Sequence, residues 1–95
     1  MLEYLAERYE PGATSERIEA DAARLGALTD KLQAEGYRIE FLGSMFVPGD
    51  EATLSRFASS CAELVEGAHR LAAVPVERVV EALSLPPAPE TSNRR

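Results

Sequence analysis

The chain has no tryptophan, one cysteine and one histidine among its 95 residues. A lone cysteine, Cys61, excludes an internal disulfide and makes a reducing cytoplasm the natural compartment. With His69 as the only imidazole and no Cys-x-x-Cys, a metal site in one chain is short of its strongest ligands. Basic residues are scarce too: ten Lys and Arg stand against sixteen Asp and Glu, a net charge of −6. That balance argues against non-specific binding to nucleic acid or anionic membranes, since both need a basic face. No apolar run approaches the ~18 residues of a membrane span, and Met1-Leu2-Glu3-Tyr4 enters a strand-like run without the pattern of a signal peptide. A glycine-rich phosphate loop is also missing, because Gly43-Ser44 and Pro48-Gly49-Asp50 lack the spacing and the following helix. These absences describe a small, acidic, soluble cytoplasmic protein with no bound nucleic acid, membrane or organic cofactor.

What is present is a regular order of elements. Leu2 to Tyr9 alternates as a strand, with Glu3, Leu5, Glu7 and Tyr9 on one side and Leu2, Tyr4, Ala6 and Arg8 on the other. Pro11-Gly12 ends it. Thr14 or Ser15 caps a long helix whose apolar face is Ile18, Ala22, Leu25, Leu28 and Leu32. Arg17, Asp21, Arg24, Lys31 and Glu35 fill its outer face, with Arg17–Asp21 and Lys31–Glu35 as supporting pairs. Gly36 is the expected stop. Two β-like runs follow around Pro48-Gly49-Asp50, where a type II turn would place Gly49 at positive φ. Ser60-Cys61-Ala62-Glu63 has the form of a capping box for a second helix with core positions Leu64, Ala68, Leu71 and Ala72. Pro75 ends that helix, and Glu77 to Leu85 forms a last strand. The domain therefore spans residues 1–85, and 86–95 is a polar, proline-rich, disordered tail.

The order β-α-β-β-α-β predicts the ferredoxin-like α+β fold: a four-stranded antiparallel sheet with two helices on one face and the first and third strands central. The opposite face is left bare. The hairpin adds Tyr37, Ile39, Phe41, Met45 and Val47 to one side and Leu42 and Phe46 to the other. So much apolar surface implies a cover, and a homodimer joining two sheets as an α+β barrel supplies one.

Three stretches carry a resemblance to a known family: Tyr4-Leu5-Ala6-Glu7-Arg8-Tyr9, then Phe41-Leu42-Gly43-Ser44-Met45-Phe46-Val47, then Glu63 through His69-Arg70 to Val74-Pro75-Val76-Glu77-Arg78-Val79-Val80-Glu81. The chain resembles a family of small bacterial ferredoxin-like proteins that includes a nickel-binding, nickel-responsive member. The resemblance implies the same fold and a homodimer, with nickel or another divalent metal as a candidate ligand. Wider kinship to dimeric α+β barrels, which include cofactor-free monooxygenases and cyclases, is a likeness of fold, and folds host many functions.

Two sets of residues are the candidates for chemistry. For a metal, His69 and Glu66 lie three positions apart on the second helix and can share an ion. The competing reading makes them solvated helix residues. For an enzyme or small-ligand site, Glu7 alternates with Leu5 and Tyr9 on a central strand, where desolvation would raise its pKa for general acid–base work. Arg56 on the other central strand would orient an anionic or phenolic substrate. Tyr9, Tyr37, Phe41, Ser44 and Met45 would line a cavity for a flat aromatic or polyketide-like molecule. The competing reading is an ion pair between Glu7 and Arg56 of two subunits, with the aromatics as core. The sequence thus points to a homodimeric binding protein for a divalent metal or small ligand, with a cofactor-independent cyclase, isomerase or monooxygenase as the alternative.

Overall fold

The computed structural model describes residues 1–87. The elements run β1 (Leu2–Tyr9), α1 (Ser15–Ala34), β2 (Ile39–Val47), β3 (Ala52–Ser59), α2 (Ala62–Ala72) and β4 (Arg78–Ala82). The sheet order is β2-β3-β1-β4 and every pairing is antiparallel. This is the ferredoxin-like α+β fold, with β1 and β3 in the middle. No described helix is long and apolar enough to cross a membrane. The expected tail, 86–95, lies outside the described residues from 88 onward.

Both helices cover one face. Tyr4 and Ala6 of β1, Ile39 of β2 and Phe57 of β3 pack with Leu25 and Leu32 of α1 and Val65 and Ala68 of α2. Phe57 sits at the centre, fully buried, with Phe41 and His69 on it at ring-centroid distances of 5.2 and 5.4 Å.

The caps of α1 follow the sequence closely. Thr14 is the N-cap, its Oγ1 accepting from the backbone N–H of Arg17, and Gly36 leaves the helix at φ 98°. The buried stripe differs from the expected one: it runs Ile18, Asp21, Leu25, Thr29, Leu32, a rotation that leaves Ala22 and Leu28 half-buried at its edges. Asp21 is therefore not a surface partner of Arg17. It receives Arg8 of β1 and Arg24 of its own helix, and Arg17 turns to Glu10 at 2.8 Å.

The start of α2 is also corrected. Cys61, not Ser60, is its N-cap and makes no side-chain cap bond. The Ser59 hydroxyl takes the Cys61 N–H at 3.3 Å instead. Its buried residues are Val65, Ala68 and His69, and the expected core residue Leu71 is exposed. Val74 is buried behind the helix end, and its carbonyl meets the inward-facing His69 ring.

The hairpin departs from the expected turn. Pro48–Asp50 forms one turn of 3-10 helix, and Glu51, not Gly49, takes the left-handed conformation at φ 52°. Glu51 is tied down there: its carbonyl accepts from Glu10 N at 2.9 Å and its Oε2 from Gly12 N at 3.0 Å. The second departure is a β-bulge between Phe41 and Gly43, with Gly43 at φ 119°. One extra residue reverses the faces of everything beyond it. Ile39 and Phe41 point to the helices, but so do Ser44 and Phe46, which lie opposite the buried Ser55 and Thr53. Met45 and Val47 turn to the bare face. The last strand is shorter than expected and leaves Leu83 and Leu85 exposed.

Candidate functional site

The bare face reads as a grid, because the strand register fixes which side chains stand side by side. Across β3, β1 and β4 its rows are Ala58, Glu3, Ala82; then Arg56, Leu5, Val80; then Leu54, Glu7, Arg78; and last Ala52 and Tyr9. On the β2 side, Met45 stands beside Leu54 and Val47 beside Ala52. An apolar diagonal, Ala82–Leu5–Leu54–Val47, therefore crosses the face from corner to corner. A carboxylate–arginine pair flanks it on each side.

On one flank Arg56 donates to Glu3 at 2.8 and 3.0 Å, and Ser84 Oγ donates to the other Glu3 oxygen. The Ser84 hydroxyl and Arg56 together hold the Glu3 carboxyl below its ordinary pKa. On the other flank Arg78 Nε donates to Glu7 Oε1 at 2.8 Å, and Glu7 raises the Arg78 pKa by accepting that bond. Glu7 and Arg56, the candidates on the two central strands, share this face without pairing with each other. Their partners were not legible, because only the register of β1 against β3 and β4 brings Glu3 to Arg56 and Arg78 to Glu7.

Beside Glu7 lies a hollow of about 370 Å³, lined by Glu7, Tyr9, Ala52, Leu54, Glu77 and Arg78 among others. Its lining joins Ala52, Leu54 and Tyr9 to the Glu7–Arg78 ion pair, with Arg8, Thr53 and Glu77 as further polar groups. The hollow thus sets an apolar surface at Leu54 and Tyr9 beside the charged Glu7–Arg78 pair. Of the expected ligand-binding residues, Tyr9 is there. Met45 shares the face one strand beyond Leu54 and is exposed. Tyr37 precedes β2 and is half exposed. Phe41, ahead of the bulge, and Ser44, beyond it, both face the helix side, where Phe41 packs on Phe57 and Ser44 bonds Ser55 at 2.7 Å. They cannot share a lining with Met45 and Tyr9.

His69 and Glu66 line a different hollow, of about 370 Å³, under the end of α2. His69 is buried. Its Nδ1 lies 3.1 Å from the Val74 carbonyl, and its Nε2 has no partner. With Nδ1–H donating to that carbonyl, Nε2 is left as a bare acceptor. Burial depresses the His69 pKa and the Arg8 charge adds to this, while the Val74 bond and Asp21 oppose it. The ring is thereby kept neutral. No group of three or more His, Cys, Asp or Glu that could hold a metal occurs among the described residues. Cys61 is free and half-buried at the far end of α2.

The fold and the bare face define the class: a ferredoxin-like α+β protein that shields one side of its sheet and presents the other. No family model and no curated protein matches the chain. It is similar in structure to SCO4226 from Streptomyces coelicolor A3(2), with a TM-score of 0.74 and 16% identity over 87% of this chain and 99% of that one. At that identity the likeness is one of fold.

Proposed function

We propose that the protein is a homodimeric binding protein, in which two copies meet through their bare sheet faces and hold a small organic ligand against Glu7, Tyr9, Leu54 and Arg78. The observation that carries this reading is the hollow itself: an ion pair set beside Leu54, Ala52 and Tyr9, on a sheet face that neither helix covers. Leu5, Leu54, Val80 and Met45 stand there without a layer above them, an arrangement that favours association. A cofactor-independent enzyme would use the same hollow with Glu7 as its base. The grip of Arg78 on that carboxylate favours holding a ligand's polar group over removing a proton.

The test is a screen of aromatic acids and phenols by amide chemical-shift mapping. Binding should move the resonances of Tyr9, Leu54 and Arg78, and Glu7→Gln with Arg78→Ala should abolish it. Shifts centred elsewhere, or unaffected by the substitutions, contradict the assignment.

A second reading, a divalent metal at His69, is favoured by one observation: the ring is fixed through Nδ1 and leaves Nε2 unpartnered, as metal-binding imidazoles do, with Glu66 lining the same hollow. Calorimetric titration of Ni²⁺ and Zn²⁺ tests it. Stoichiometric binding lost in His69→Ala supports it, and binding indifferent to that change refutes it.

A further inference from the structure

We propose that the dimer axis runs along the Leu5–Leu54 diagonal of the bare face, so that Arg56 of each copy pairs with the other copy's Glu7. This deepens the homodimer reading above and rests on it.

The argument starts from four neighbours. Leu5 lies opposite Arg56, and Glu7 opposite Leu54, in the β1–β3 register. The four side chains occupy the corners of a rectangle with leucines on one diagonal and opposite charges on the other. Two identical faces can meet about a two-fold axis lying in the sheet plane. An axis parallel to the strands lays each leucine of this group over a charge, Leu5 over Arg56 and Leu54 over Glu7. An axis across the strands does the same, Leu5 over Glu7 and Leu54 over Arg56. Both lay leucine over charges that gain no partner from the other copy, so each ion pair loses water without a new contact in return. The axis along Leu5–Leu54 stacks each leucine on its own copy and sets Arg56 over Glu7 twice. Continued to the corners, it passes over Val47 and Ala82, also apolar.

The geometry is reachable. Neighbouring strands are ~4.8 Å apart and alternate residues on one strand ~6.8 Å, so the diagonal lies about 35° from the strands and the sheets cross at about 70°, towards the orthogonal class of sheet packing. The rectangle is not square, which offsets the facing Arg56 and Glu7 positions by roughly 3 Å, within the span of a long arginine side chain. Each inter-copy contact then joins two existing pairs into a row of alternating charge, Glu3–Arg56 on one copy and Glu7–Arg78 on the other.

Two single charge reversals test this by sedimentation, Glu7→Arg and Arg56→Glu, each checked for folding by circular dichroism. Either variant alone sets like charges against each other twice, and its dimer dissociation constant should rise on the order of a hundredfold. Mixing the two variants restores opposite charges at both contacts, and a 1:1 heterodimer should form. Repulsion within one chain would survive mixing, so recovery is specific to contacts between copies. A mixture that stays monomeric while wild type dimerises overturns the axis but leaves the homodimer reading standing, as does dimerisation of either variant with wild-type strength. A monomeric wild type overturns both. If a reversal variant does not fold, Glu7→Gln and Arg56→Met replace it. Each should weaken the dimer about tenfold, and unchanged constants overturn the proposal.

Discussion

Asp21 is the residue whose role departs furthest from its place in the sequence pattern. In a run of alternating charges it reads as one more solvated helix position, yet it is buried and binds two arginines. Its burial depends on Arg8 pointing under α1, which only the strand's packing decides. Removing one member of a buried pair strands the other's charge, so Asp21→Ala should cost about 3 kcal/mol in urea unfolding. Replacing both, as Arg8→Met with Asp21→Leu, should cost much less than Asp21→Ala. His69 was equally hidden. The only histidine reads as a candidate ligand, whereas it is buried against Phe57 and the Val74 carbonyl, contacts outside the periodicity of α2. Its pKa is depressed in the fold, so the unfolded chain takes up the proton first. The neutral ring's contribution to stability is therefore complete above the unfolded pKa of ~6.5 and is lost as pH falls below it. Urea midpoints between pH 7.5 and 5 should decline by that route and flatten in His69→Gln. An unchanged slope in that variant refutes the role.

At the scale of elements, most boundaries were legible because local chemistry sets them. Thr14 and Gly36 bracket α1, and the alternation of Leu2–Tyr9 gave both faces of β1 correctly. The bulge in β2 was not legible. Phe41-Leu42-Gly43-Ser44-Met45 alternates well enough as a regular strand, and the extra residue shows only once β3 is beside it. That single slip puts Met45 on the face opposite Phe41, while Ser44, next to Met45 in the strand, faces the helices, and the expected cavity is divided. Gly43 makes the bulge at φ 119°, a region side chains avoid, so Gly43→Val should destabilise by about 1–3 kcal/mol. Gly49 gives the contrast. It is not at positive φ, and a Cβ there would meet nothing within 4 Å, so Gly49→Ala should leave the melting temperature unchanged or slightly raised. A loss at Gly49 as large as that at Gly43 would contradict the observed turn.

For the whole molecule, the order of elements sufficed to anticipate a sheet with one covered and one bare face. What the bare face carries depended on register: Glu7 and Arg56 were visible as candidates, and their partners Arg78 and Glu3 were not. The resulting pattern of an apolar diagonal between two ion pairs is the feature from which both the homodimer and its ligand hollow are argued. A substitution that leaves the fold alone but spoils this face, Leu54→Lys, should yield a folded monomer, seen as one chain mass by light scattering.

The most direct measurement is an isotope-filtered nuclear Overhauser experiment on an equal mixture of labelled and unlabelled wild-type chains. The account predicts cross-peaks between copies from the Leu5 and Leu54 methyl groups, Leu5 to Leu5 and Leu54 to Leu54. No contact between copies, or contacts from the outer surfaces of α1 and α2 instead, would contradict it.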